Sequence, residues 1–311
     1  MSNLDHQLII VGGGPAGLTA GLYAARGMVD AVLLEKGAQG GQVMLTDWID
    51  NYPGFPEGIS GFDLSDKFAA QAKRFDLQVK QATVTKMDLA GPVKTIYLED
   101  GSTLTSRAVI IATGARPNLV NVPGEEAYYG RGVSYCATCD APFYRGKTVA
   151  VIGGGNTAIQ EADYLTKFAD KVYVIHRRDA LRATKIVQEK AFANDKIEFI
   201  WDSVPTEVIG DMLRGVIGLA VKNVKSNEAS HIDLDGVFVL IGIRPNMEML
   251  PLDQLDNDKG FIHTNVEMQT SQPGVFAAGD IIYKNYRQVA NAVGEGCVAC
   301  LSAEHFLENN E

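Results

Sequence analysis

The sequence predicts an α/β fold of two parallel-sheet domains, and two observations carry that prediction. A short apolar run, a glycine-rich turn and a small-residue helix occur in that order twice, with the turns opening at Gly12 and Gly153, 141 residues apart. That offset is too long for a solenoid repeat and suits two domains of one type. Around both turns the chain alternates strand and helix signals, as a doubly wound sheet requires. Each unit is therefore expected to be a Rossmann-like, dinucleotide-binding domain.

A chain of 311 residues is long enough for two cores, and 46% hydrophobic with 21% charged residues is ordinary for a soluble globular protein. The formal net charge of −10 argues against a general binder of nucleic acid or anionic membrane. No apolar run approaches a membrane span, and Met1-Ser2-Asn3-Leu4-Asp5 lacks a signal-peptide profile. Four cysteines in so long a chain do not make a disulfide scaffold. The expected compartment is the reducing cytoplasm.

In the first fingerprint, Gln7–Val11 reads as a buried parallel strand. It feeds Gly12-x-Gly14-x-x-Gly17, with Pro15 and Ala16 inside the motif, and a helix to about Arg26. The glycines let the backbone approach a pyrophosphate seated on the helix N-terminus. A second strand, Ala31–Leu34, ends at Glu35, followed by Lys36. Glu35 stands 18 residues beyond Gly17, near the spacing at which an acid meets a ribose hydroxyl.

Residues 37–61 contain Gly40-Gly41-Gln42 and Asn51-Tyr52-Pro53-Gly54. Two readings stand for them: loops that wrap a cofactor's ring system with the amides of Gln42 and Asn51, or turn chemistry alone. A helix is expected over Asp63–Arg74, strands over Leu77–Leu89 and Val93–Leu98, and a turn at Asp100-Gly101. Ala108–Ala112 reads as another buried strand, closed by Thr113-Gly114-Ala115-Arg116-Pro117, the first candidate boundary.

The second fingerprint has Lys147–Ile152 as its strand and Gly153-x-Gly155-x-x-Ala158 as its turn, with Asn156 and Thr157 inside, then a helix to about Phe168. Its second strand, Lys171–Ile175, ends not in an acid but in His176-Arg177-Arg178-Asp179, with Arg182 beyond. An acid would repel a phosphate on the ribose, whereas arginines clamp it, so this site is expected to prefer NADP over NAD. Glu35 suits an unphosphorylated adenosine ribose, as in FAD. Leu240–Pro245 echoes the first boundary in its Gly-x-Arg-Pro ending. Gly274–Asp280 is a strand ending in Gly279 and an acid, and Arg287-Gln288-Val289-Ala290 begins a small-residue helix through Ala303. Asp280 can hold a ribityl or pyrophosphate hydroxyl, or simply cap a helix.

Between the fingerprints lies Cys136-Ala137-Thr138-Cys139-Asp140. A C-x-x-C pair can close a small disulfide ring, often with one thiol of depressed pKa. A zinc half-site is the other reading, and Cys297-x-x-Cys300 is a second pair on paper, though its small-residue helix suits buried, inert thiols better. Phe143, Tyr144 and Arg131 flank the first pair as partner contacts, or as packing in the case of the aromatics.

These motifs together (GGGPAGL at Gly12, GGQ at Gly40, Cys-Ala-Thr-Cys-Asp at Cys136, GGGNTA at Gly153, His-Arg-Arg-Asp with Arg182, AAGD at Ala277, and Arg287-Gln288) resemble the bacterial low-molecular-weight thioredoxin reductases over essentially the whole chain. Cys300 departs from that pattern, which has a small apolar residue there. The resemblance implies NADPH-dependent reduction of thioredoxin through FAD and a redox-active Cys136–Cys139 disulfide. It also implies a homodimer and no metal. The FAD domain is expected from residues 1–117 and 245–311, with the NADP domain, residues 118–244, inserted. Cys139 is expected to face the flavin, Cys136 to attack thioredoxin and Asp140 to serve as acid or base. Because disulfide and nicotinamide share one domain while the flavin sits on the other, the domains are expected to rotate between half-reactions. The alternatives are a same-fold flavoprotein using ferredoxin or serving a peroxide-reducing partner, and a non-enzymatic flavin sensor. The arginines count against ferredoxin, the want of an extra N-terminal dithiol domain against the peroxide partner, and the intact Cys-x-x-Cys-Asp against the sensor.

Overall fold

The computed structural model describes residues 4–46, 48–211 and 213–310; the outermost ends of the expected first domain, residues 1–3 and 311, lie outside the described residues. The chain divides into two compact units, Met1–Arg116 with Arg244–Glu311, and Pro117–Ile243.

In the first unit, β1 (Leu8–Val11) leads into α1 (Pro15–Arg26) and β2 (Ala31–Glu35). Pro15 sits at the first helical position, where its missing N–H costs nothing. Next comes α2 (Gly61–Lys73), which starts two residues before the expected Asp63 because Ser60 is its N-cap and accepts the Asp63 N–H at 3.0 Å. The single strand expected over Leu77–Leu89 is two, β3 (Gln78–Gln81) and β4 (Val84–Asp88). β3 joins a parallel sheet, whereas β4 turns away into an antiparallel meander with β5 (Lys94–Leu98) and β6 (Thr103–Ser106). β7 (Ala108–Ile111) returns to the parallel sheet beside β1. β8 (Ala115–Pro117) then carries the chain out of the unit.

The second unit begins with β9 (Val133–Ser134) and the one-turn helix α3 (Ala137–Asp140). β10 (Thr148–Ile152), α4 (Asn156–Leu165), β11 (Lys171–Ile175), α5 (Lys185–Phe192) and β12 (Ile197–Ile200) follow. α4 stops at Leu165, short of the expected Phe168, because the Lys167 and Phe168 N–H groups fold back onto Tyr164 and Leu165 in a tight turn. A second meander, β13 (Ser203–Asp211), β14 (Gly215–Asn223) and β15 (Ala229–Asp233), precedes β16 (Gly236–Val239). β17 (Ile243–Pro245) leads back, pairing with β8.

The chain completes the first unit with β18 (Asn257–Asp258), β19 (Phe261–Ile262), β20 (Val275–Ala277) and the long helix α6 (Val289–Asn309). α6 starts two residues later and runs six further than the sequence suggests. Its parallel sheet has the order β20-β7-β1-β2-β3, and that of the second unit β12-β11-β10-β16-β9. In both, the central strands are continuous apolar runs because both faces are covered. Leu8, Ile10 and Ile110 meet α1 and α6 on one side, while Ile9, Val109 and Ile111 meet the meander on the other. In the second unit, Val149 and Val151 pack on the helices, and Ala150 and Ile152 on the meander. Among the described residues no helix is long and apolar enough to cross a membrane.

Candidate active site

In parallel sheets of this kind ligands gather at the carboxyl ends of the strands, and every fingerprint lies there. In the first unit, Gly12 follows β1 with φ +110°, a conformation open to glycine. Gly17 packs so tightly on the Gly12 carbonyl that a Cβ would overlap it. Gly14, the N-cap of α1, is different: an added Cβ would meet only Gly41, at 3.9 Å, so the turn keeps a shallow open cradle over the helix N-terminus. Ala16 is buried against Gly279 and Gly296, which lets α1 and α6 approach closely.

Glu35 ends β2 and lies across this turn. One carboxylate oxygen accepts the Gly13 N–H at 2.7 Å, and the other accepts the Gly37 N–H at 2.9 Å. Lys36 beside it is exposed, as are Gly41, Gln42 and Asn51. Gly41 opens a short 3₁₀ turn to Leu45, held to the fingerprint by the Gly40 N–H donating to the Gly13 carbonyl. After β7, Thr113 and Gly114 form a loop closed by Asn246, whose amide donates to the Thr113 carbonyl at 2.7 Å. Asn51 donates to Gln288 Oε1 at 3.3 Å, just before α6 opens at Val289.

Asp280 follows β20 in a 3₁₀ turn with Gly279 and caps neither that turn, whose N-cap is Ala278, nor α6, whose N-cap is Gln288. Its Oδ1 is buried and accepts no hydrogen bond among the described groups, although Lys284 stands 3.5 Å away. Lys284 is committed to Glu295, at 2.7 and 2.9 Å, and Glu295 also takes the Gly279 N–H at 2.9 Å. Arg287 stacks its guanidinium on Phe261 at 4.6 Å and donates to the Lys284 carbonyl at 2.9 Å. A buried acceptor without a donor is costly, and a polyhydroxyl chain supplies that donor. The open cradle at Gly14, the fixed Glu35 carboxylate and the unmet Asp280 oxygen therefore fit FAD. Glu295 and Lys284 escaped the sequence reading because no motif marks them; the acid–base spacing across a turn and a helix was the available signal.

The second unit repeats the design. Gly153 follows β10, and Gly155, the N-cap of α4, has nothing within 4 Å of an added Cβ. Asn156 and Thr157 are exposed in the first helical turn, with Asn156 Oδ1 accepting the Thr184 N–H at 2.7 Å. His176, at the end of β11, is buried under Gly154, with Nε2 3.1 Å from the Ala180 carbonyl. Burial holds its pKa below the usual imidazole value. Arg177, Arg178 and Arg182 are exposed, and their guanidiniums form no ion pair among the described residues. Asp179 is drawn off by Lys225, which pairs with it at 3.0 Å and with Asp202 at 2.9 Å. Three cations beside an open glycine turn fit a nucleotide carrying an extra phosphate.

β9 runs parallel to β16 and delivers Cys136 to the same carboxyl edge, two strands from β10. Cys136 and Cys139 are joined as a disulfide, with Cα atoms 5.3 Å apart. Ser134 Oγ accepts the Cys136 N–H at 3.1 Å and donates to Asp140 Oδ2 at 2.5 Å. Burial raises the Asp140 carboxyl above its ordinary value of 3.8, with the Ser134 hydrogen bond opposing. Tyr135 donates to Glu125, which is buried and also accepts the Val120 and Asn121 N–H groups, anchoring the chain just before the pair. Tyr144 is buried against Phe238, so it is packing, while Phe143 stays exposed and so does Arg131. Cys297 and Cys300 lie within α6, the first half-buried and the second buried, with its thiol pushed up to about 12 by burial.

A family model described as pyridine nucleotide-disulphide oxidoreductase matches residues 6–296. The thioredoxin reductase of Streptomyces coelicolor is 44% identical over 305 residues, covering 97% of this chain and 94% of that one. The chain belongs to the thioredoxin reductase family. The mitochondrial thioredoxin reductase 1 of Arabidopsis thaliana is 45% identical, covering 98% of this chain and 84% of its own. Among solved structures, the thioredoxin reductase of Streptococcus pyogenes superposes with a TM-score of 0.94 at 44% identity, covering 98% of both chains. With family membership come the cofactors FAD and NADPH and the class of disulfide reductase enzymes.

Proposed function

We propose that this protein uses NADPH to reduce the disulfide of thioredoxin or a thioredoxin-like protein, acting as a homodimer in the cytoplasm. The observation that carries the reading is the Cys136–Cys139 disulfide, at the carboxyl edge of the sheet whose fingerprint presents three exposed arginines with no ion pair among the described residues. When bound, FAD supplies a two-electron relay between a nicotinamide and a disulfide. On this reading Gly12, Gly14 and Gly17 bring α1 to its pyrophosphate, Glu35 takes the adenosine ribose, and Asp280 accepts from the ribityl chain. Gly155 and Asn156 receive the NADPH pyrophosphate, while Arg177, Arg178 and Arg182 take the 2′-phosphate.

The thiol chemistry belongs to the chain itself. Reduction breaks the Sγ–Sγ bond and leaves two thiols. Cys136 attacks the thioredoxin disulfide as a thiolate, forming a mixed disulfide and releasing one thioredoxin thiol. Cys139 then displaces the second, restoring the Cys136–Cys139 bond. Two electrons leave with thioredoxin's dithiol, together with two protons. On this reading Asp140, raised in pKa and held by Ser134, takes the Cys139 proton and returns it. The nicotinamide and the disulfide share the second unit, so alternate rotation of the units completes the cycle in this reading.

NADPH and NADH oxidation, followed in parallel with and without thioredoxin on protein showing a flavin spectrum, tests the proposal. Thioredoxin-dependent oxidation, faster with NADPH, is expected. Rapid NADPH oxidation that leaves thioredoxin disulfide intact contradicts it, and sedimentation reads the dimer.

A further inference from the structure

Ala137 opens α3 directly behind Cys136 and is fully buried. Its N–H belongs to the first helical turn and has no partner within the helix. Cys136, as N-cap, makes no side-chain bond that would supply one. The partner comes instead from α4: Glu161 Oε2 accepts the Ala137 N–H at 2.8 Å. Because the Ala137 nitrogen is bonded to the Cys136 carbonyl carbon, this carboxylate stands against the backbone of the redox turn itself. Glu161 and the cysteines lie in the same unit. Nothing in the thiol steps above uses Glu161, and no fingerprint includes it.

We propose that Glu161 is a positioning residue that sets the reduction potential of the Cys136–Cys139 pair, holding it low by placing a negative charge on the redox turn. The proposal rests on reading that pair as the redox centre. Reduction adds two electrons to the Sγ–Sγ bond, and two protons if both sulfurs end as thiols, or one if Cys136 remains a thiolate. A carboxylate beside the turn disfavours a further negative charge there. It also occupies an amide whose positive end otherwise steadies a thiolate at a helix N-terminus. Both effects destabilise the reduced, thiolate-bearing form relative to the disulfide. A pair so tuned gives up its electrons to a partner disulfide more readily. Burial raises the Glu161 carboxyl and the Ala137 N–H opposes that rise.

The test equilibrates holoenzyme with dithiothreitol and its cyclic disulfide at one fixed pH, then traps free thiols by alkylation. Glu161→Gln keeps an acceptor for the Ala137 N–H and removes the charge. It is expected to shift the equilibrium toward dithiol by about tenfold, or about 30 mV for a two-electron couple. Its reduced Cys136 should also alkylate faster. Glu161→Ala must move the potential in the same direction, so the proposal does not depend on one variant folding. Glu161→Asp, which keeps the charge, should restore much of the wild-type value. A wild-type pair that fails to titrate as one two-electron couple overturns the redox reading itself. A wild-type pair that titrates normally, with folded variants at the same potential, overturns the role of Glu161 alone.

Discussion

Arg177 and Arg178 bear on coenzyme choice through charge alone, since both guanidiniums are exposed and unpaired among the described residues. Replacing both with neutral residues should raise the Michaelis constant for NADPH and leave that for NADH little changed. Each charge-assisted contact to a phosphate is worth about 1.5–3 kcal/mol, or about 10–150-fold. Equal losses for the two nucleotides in steady-state kinetics would show that the arginines do not read the phosphate. Asp140 makes a different prediction. Its carboxyl is raised above 3.8 chiefly by burial, so the folded state binds its proton more tightly than the unfolded state does. Stability from this group is therefore present at low pH and is lost as pH rises through the raised value. Asp140→Asn should melt higher than wild type at pH 7, with the gap closing on acidification, while turnover falls by about 10²-fold or more. A variant that melts lower at pH 7 than at pH 4, relative to wild type, contradicts this account.

At the scale of elements, one glycine from each fingerprint separates binding from folding. Gly155→Ala adds a methyl where nothing lies within 4 Å. It should leave thermal unfolding nearly unchanged while weakening NADPH binding. Gly17→Ala meets the Gly12 carbonyl instead and should yield little folded protein. Soluble yield and coenzyme titration distinguish the two, and a Gly155→Ala variant with normal NADPH affinity would place the pyrophosphate elsewhere. Most of this was legible in the sequence because strand, glycine turn and helix are contiguous, so local periodicity carries them. What was not legible depended on partners far along the chain. The run Leu77–Leu89 reads as one strand because alternation does not say which sheet a strand joins; the break at Ala82-Thr83 separates β3, paired with β2, from β4, paired with β5. α2 starts two residues before Asp63 because Ser60 makes the capping bond, and the apolar periodicity does not show which residue caps the helix. Glu161 and Glu295 carry no motif and are visible only once α4 lies against α3 and α6 against the turn at Gly279.

At the scale of the whole molecule, the chain passes between its units twice, through β8 and β17, with Gly114 and Gly242 at positive φ just before each. Glycines in that conformation can absorb backbone change, and the following prolines keep the crossings from becoming helical. A verified crosslink between the units should therefore trap one half-reaction and stop steady-state turnover, whereas normal cycling in the crosslinked form would reject rotation. The central claim is that electrons pass from NADPH through FAD to Cys136–Cys139. Anaerobic reductive titration of the FAD-loaded protein tests it most directly, because a flavin and a disulfide each take two electrons. Wild type should consume two equivalents of a two-electron reductant per chain, and Cys136→Ser or Cys139→Ser only one. Equal consumption by wild type and both variants would contradict the account.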